Sequence, residues 1–213
     1  MKDIFELHLL KTLLFNFYYL PLKSAVKLPI RVYRGVKIGS LGEHDSVVIK
    51  DVNKRIHIGK KGSFGIEHRT YWNVAKDSKV VFRGGAVLCS GTQIISNGEL
   101  DFGDNFFCNS NCLINAGRKI SFGRDVLIGW EVTIMDGDGH YIGKDGQCFD
   151  KYGSITIHDH VWIAAYAKIL KNSDIPSNSV VGLNALVSKR FQEEALLIGG
   201  INKVLKNQIE WRK

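Results

Sequence analysis

The chain lacks several things, and each shortage removes a class of architecture. Its 213 residues include only 3 prolines, too few for a sandwich whose strands are joined by successive hairpin turns. The 4 cysteines, Cys89, Cys108, Cys112 and Cys148, show no CxxC spacing, so neither a disulfide framework nor a cysteine-based zinc motif is indicated. Inert buried thiols and a cytoplasmic location are expected instead. Long apolar runs are missing too. The opening stretch MKDIFELHLLKTLLFNFYYLPLKSAVKLPI is rich in Leu and Phe, but Asp3, Glu6, His8, Lys11 and Asn16 interrupt it, which makes it a poor bilayer span and a poor secretory signal. Negative charge is in deficit: 21 Asp and Glu face 29 Lys and Arg, a formal charge of +8, which favours an anionic partner. No nucleic-acid-binding motif accompanies that charge, so no nucleic-acid partner is expected.

What is present is ordinary in bulk and unusual in pattern. With 45% hydrophobic and 23% charged residues, the chain can bury one core, and one domain with terminal additions is expected. Near the start, Phe5, Leu9, Leu13 and Phe17 recur at four-residue spacing, predicting an amphipathic helix that ends near Pro21. Two roles stand for it: a cap over the open end of the core, or an anchor giving peripheral membrane association.

The centre of the chain repeats in sixes. From Ile157 the count lands on Ile163, Ile169, Ile175, Val181 and Val187. Shorter ladders run through Ile58, Phe64 and Thr70; Phe82, Leu88 and Ile94; Phe102, Cys108 and Ile114; and Phe122, Ile128 and Ile134. Helices would need apolar residues at steps of three and four. Three six-residue units make one triangular coil of roughly 18 residues, and stacked coils pairing in parallel make a parallel β-helix. Small or β-branched residues four places after a rung, Val126, Val132, Val161, Ala167, Ser179 and Ala185, should also point inward. The residue after a rung is often Gly (59, 65, 103, 123, 129, 182) or Asn (109, 115), types that tolerate positive φ or close backbone approach, and corners are expected there.

Between Phe122 and Ile157 the interval exceeds one coil by about 17 residues. A loop at 135–154 must therefore leave the solenoid, and such extrusions build the concave sites that flat coil faces lack. The expected division is a helical cap segment at 1–34, a β-helix at 35–190 and a tail at 191–213.

The loop's DGDGH, the resuming HVWIAAYAKILK and the closing LIGGINKVLKNQIEW resemble the hexapeptide-repeat acyltransferases, in the branch that acetylates sugars of capsule, exopolysaccharide and O-antigen. The resemblance implies an all-β, left-handed parallel β-helix, a handedness that the repeat alone does not give, since parallel crossovers are ordinarily right-handed. It implies an acetyl-CoA-dependent O-acetyltransferase, a homotrimer with sites between adjacent helices, a sugar or oligosaccharide acceptor and no metal.

It also implies roles. His140 matches the catalytic base, able to take a proton from a sugar hydroxyl near neutral pH. Asp138 and Asp136 are candidates to fix its tautomer or to contact substrate, and either could instead stabilise the glycine-rich turn. Trp162 should project outward, to stack on sugar, to pack on the pantetheine arm or to be covered by a neighbouring subunit. Ala164, where relatives carry Gly, together with Lys168, Lys171, Lys189, Arg190 and Lys203, would meet coenzyme A and its phosphates. Three rivals remain open: a zinc site using His158 and His160, which alternate on one strand face; an N-acyltransferase of amino sugars; and a non-catalytic glycan-binding scaffold.

Overall fold

A computed structural model describes residues 6–62, 68–144 and 147–212, and its architecture is a parallel β-helix with three faces. The first face stacks Ile30–Val32, Ile56–Lys60, Ala86–Cys89, Phe106–Cys108, Leu127–Ile128, Trp162–Ile163, Val180–Val181 and Leu197–Gly199 in parallel, and Lys203–Lys206 folds back antiparallel on the last. The second runs from Lys37–Ser40 through Thr133–Met135 and Lys168–Leu170 to Leu186–Val187. The third runs from Val47–Ile49 through Lys119–Phe122 to Ile155–Ile157 and Asp174–Ile175.

The six-residue period becomes three columns of inward side chains. Ile58, Leu88, Cys108, Ile128, Ile163 and Val181 are in direct register on the first face. Ile94, Ile114, Ile134, Ile169 and Val187 follow on the second, and Phe82, Phe102, Phe122, Ile157 and Ile175 on the third. None is more than 3% exposed. Parallel register puts like side chains one above another, so the third face stacks its phenylalanines, with ring centroids 5.0 Å apart for Phe82 and Phe102 and 5.3 Å for Phe102 and Phe122. The positions four after a rung, Val126, Val132, Val161, Ala167, Ser179 and Ala185, are buried as well.

Three expectations need correction. Thr70 is buried, but the second-face rung is Trp72, paired with Ile94; an insertion after Ile58 shifts the count by two, and Phe64 and Gly65 lie outside the described residues. The left-handed turns fall three residues past the rung, at Asn105, Asn111, Asp125, Glu131, His160, Tyr166, Asn172, Asn178 and Asn184, mostly at Asn or Asp, which tolerate that region. Of the described glycines that follow a rung, only Gly59 has positive φ. The others answer to close approach: a Cβ on Gly103 would lie 2.0 Å from the carbonyl oxygen of Gly123. Finally, coil structure begins at Ile30, and Leu197–Gly199 within the tail still adds a strand.

The N-terminal end is closed by helix α1 (Leu9–Tyr19), which stops before Pro21. A first strand leaves backbone groups unpaired, and two buried side chains of α1 pair them. Asn16 Nδ2 donates to the Ile30 carbonyl at 2.7 Å and its Oδ1 accepts the Ile30 N–H at 3.1 Å. Thr12 Oγ1 accepts the Val32 N–H at 3.0 Å. Phe15 and Tyr19 fill the mouth of the coil, Phe15 with its ring centroid 5.6 Å from Trp72. The buried face is thus Thr12, Phe15, Asn16 and Tyr19. The four-residue stripe faces solvent: Leu9, Leu13 and Phe17 are exposed, and Phe5 lies outside the described residues.

Asn16→Ala leaves both polar groups of Ile30 unpaired beneath α1. The expected loss is about 2–3 kcal/mol in urea unfolding, with hydrogen exchange at the Ile30 amide accelerated before exchange in the central coils.

Candidate active site

The loop that leaves the second face after Met135 is fixed at its root. Asp136 is fully buried, and its carboxylate accepts three backbone N–H groups of the corner one coil below: Gly117 at 2.6 Å, Arg118 at 2.8 Å and Lys119 at 2.6 Å. The two limbs then pair. Gly137 bridges Tyr152, Asp138 N–H donates to the Lys151 carbonyl at 3.1 Å, and Gly153 N–H donates to that of Asp136 at 2.8 Å. The Tyr152 ring lies where side chains on Gly117 and Gly137 would be, 2.0 Å and 2.6 Å from their ideal Cβ positions, so glycine is required at both. Farther out, Gly143–Lys144 pairs antiparallel with Gln147–Cys148.

His140 sits between this stem and the outer hairpin, exposed, and its ring has no hydrogen-bond partner among the described residues. A displayed imidazole on an anchored stem is open to an incoming hydroxyl. Asp138 does not orient it. The Asp138 carboxylate forms an ion pair with Lys171, whose ammonium also donates to the Asp150 carbonyl at 2.8 Å. The Tyr152 N–H and Arg118 hold the Asp150 carboxyl below the usual carboxylate range. Asp138 and Lys171 therefore brace the loop against the resuming coil. In the structure Lys171 and Asp138 thus engage each other and the loop's second limb, and neither contact involves the His140 ring. Asp136 has no face left for substrate.

Trp162 projects outward as expected and is 37% exposed. It continues an outward apolar column through Phe107, Leu127, Val180 and Leu197. Beside it stands a pair that sequence reasoning missed. Trp211 stacks on His160 at 4.1 Å with planes 9° apart, and its indole N–H donates to the His160 carbonyl at 2.9 Å. The two residues border a shallow depression of about 310 Å³ with Asn178, Ala195, Ile209 and Arg212. The closing IEW carried the signal, but nothing in the spacing places residue 211 against residue 160.

The zinc pairing is not formed. A His158 ring nitrogen lies 2.9 Å from Asp174 and a His160 ring nitrogen 3.2 Å from the Trp211 carbonyl. Among the described residues no group of three His, Cys, Asp or Glu is placed to hold a metal. The remaining basic candidates are dispersed. Lys168 points outward from the second face, Lys189 and Arg190 lie at the corner leading to the third, and Lys203 is on the antiparallel strand of the first. Ala164 is nearly covered, and its N–H is used in the ladder to Val181 at 2.8 Å.

No protein-family model matches the chain. Over 110 residues it is 32% identical to a Saccharomyces cerevisiae protein provisionally named an acetyltransferase, a match covering 51% of this chain and 56% of that one. Over 104 residues it is 30% identical to the galactoside O-acetyltransferase of Escherichia coli, covering 47% and 50%. The chain is similar to hexapeptide-repeat acetyltransferases. It spans about half the length of the curated relatives it matches.

Two solved structures align along most of the chain. The polySia-specific acetyltransferase NeuO gives a TM-score of 0.56 at 17% identity, over 84% of this chain and 89% of that one. The polysialic acid O-acetyltransferase OatWY gives 0.51 at 20%, over 86% and 90%. At these identities the likeness is one of fold, the left-handed parallel β-helix that the resemblance implied.

If Lys171 braces the loop, Lys171→Ala should loosen 137–152 while the coils stay intact. Tryptic cleavage after Lys144 and Lys151 is expected to accelerate on the order of tenfold, with the unfolding midpoint shifted by less than about 2 °C.

Proposed function

We propose that the chain is an acetyl-CoA-dependent O-acetyltransferase that modifies a sugar hydroxyl of a bacterial surface polysaccharide or its precursor. The observation that carries this reading is His140, displayed on a braced loop that leaves a β-helix similar in sequence to named acetyltransferases.

The chemistry follows from what the chain offers. A ring nitrogen of His140 takes the proton of the acceptor hydroxyl, whose oxygen attacks the thioester carbonyl. The tetrahedral intermediate collapses with cleavage of the C–S bond, and the coenzyme leaves as thiolate. Attack is taken as direct, with no acyl-enzyme: burial pushes Cys89 up to about 11 and holds Cys108 well above the usual thiol range, so neither forms thiolate near neutral pH, while Cys148, expected to be buried, is exposed on the loop and has no activating partner among the described residues.

Several features support the remaining parts of the reading. Tyr141, Ile142 and Phe149 are exposed apolar side chains on the loop, and the outward column that includes Trp162 is apolar as well. Both suit a homotrimer whose sites lie between adjacent helices, the loop of one subunit facing the first face of the next. Trp162 and the Trp211–His160 stack offer aromatic faces to a sugar ring or a pantetheine arm. Lys168, Lys189, Arg190 and Lys203 are candidates for coenzyme phosphates only if contributed from different edges of such an assembly.

The test is thiol release from acetyl-CoA with a panel of sugars and capsule fragments. Acceptor-dependent release is expected, falling at least about a hundredfold in His140→Ala and unchanged in Cys148→Ser. Equal turnover in wild type and His140→Ala would remove the histidine from the mechanism. Failure of acetyl-CoA to bind or react would leave the scaffold reading.

A further inference from the structure

The helix that closes the coil turns its apolar side outward. Leu9, Leu10, Leu13, Leu14 and Phe17 of α1 are between 36 and 73% exposed. At about 100° per residue these five cover an arc of about 140°. The patch continues onto the short helix α2 (Leu22–Ala25) and its C-cap, where Leu22 and Val26 are 70 and 60% exposed. A helix needed only as a lid would carry polar residues there, and contiguous exposed leucines mark a contact surface.

Charge indicates the occupant. From Leu9 to Lys37 the chain carries Lys11, Lys23, Lys27, Arg31, Arg34 and Lys37 and no Asp or Glu. Lys23 and Lys27 alternate with Leu22 and Val26, and Lys23 has no partner among the described residues. Apolar side chains in a stretch whose charges are all positive match an anionic bilayer surface, acyl chains below and phosphates at the rim. A second copy packing this patch on itself about a twofold axis would bring the same cations together, which disfavours self-association. No described helix is long and apolar enough to cross a bilayer, so contact is with the surface.

We infer that α1 and α2 dock the molecule on an anionic lipid bilayer, with Leu10, Leu14 and Phe17 entering the acyl boundary and Lys23 and Lys27 meeting headgroup phosphates. This docking is independent of the proposed acetyl transfer.

The full chain is sedimented with vesicles of phosphatidylcholine alone and with about 30% phosphatidylglycerol, at about 0.1 and about 0.5 M salt. Binding to the anionic vesicles is expected, weaker at high salt and in Lys23→Gln/Lys27→Gln, and reduced at least about tenfold in Leu10→Glu/Leu14→Glu/Phe17→Glu. Those three side chains are exposed, so the variant should keep the wild-type circular dichroism, and thiol release with a soluble sugar should be unaffected. Absence of wild-type binding, or equal binding by the triple variant, overturns the proposal. So does sedimentation velocity showing that the triple substitution drops the chain to a smaller assembly while wild type ignores vesicles, since the patch would then be a protein interface.

Discussion

Every coil of this molecule depends on the next one for its hydrogen bonds. A triangular coil of three short strands has no partner strand within itself, so its N–H and C=O groups are satisfied only by the coils on either side. Three consequences run through the structure. Inward columns must keep register, because one residue of slippage would turn each rung outward. The ends must be closed, which Asn16 and Thr12 do for the first strand and the Lys203–Lys206 strand does for the last. Any insertion must leave and return within one corner, so that coils above and below still meet.

The loop obeys the last of these. Ile120 below and Ile155 above remain paired across it, and Asp136 fastens its first residue to the corner below through three backbone donors. The carboxylate thus does for an interrupted coil what a continuing strand would do. With Asp138 and Lys171 paired across its base, the stem that carries His140 is tied to the solenoid. On the proposed reading of His140 as the base, part of the entropy of placing it is met in folding.

The six-residue ladders were legible because the interior admits few residue types and the period is uninterrupted from Ile157 onward. Legibility failed wherever position depends on something non-periodic. Trp72 was passed over because the insertion after Ile58 moved the count onto Thr70. Apolar spacing says that α1 has a stripe, not which side of the helix meets the core; the side chains that decide it, Asn16 and Thr12, are polar and pair a strand edge. Glycines after the rungs were correctly marked as special, but for steric room more than for φ. His140 was visible through resemblance alone. The partnership of Asp138 with Lys171, and that of His160 with Trp211, join residues brought together by coil stacking, which no local pattern encodes.

The faces also divide by chemistry. The third carries exposed ion pairs, Lys79–Asp45 and Lys119–Glu99, with Arg83 reaching a buried Asp101 and His158 bonded to Asp174. Surface pairs of this kind contribute about 0–1 kcal/mol each, so they mark a face made for water more than they hold the coil. The first face instead stacks the half-buried Val87, Phe107 and Leu127 and the exposed Trp162 outward, an arrangement that costs solubility unless it is covered. With a hydrated third face and an apolar first face, a closed ring of copies can cover the apolar columns only by turning them toward its own axis or its subunit seams. The loop carrying His140 leaves the coil of Ile128 and Ile134, one coil below Trp162. A seam that covers Trp162 therefore passes close to the loop's height along the helix, and this is the geometric reason for placing the proposed site between subunits.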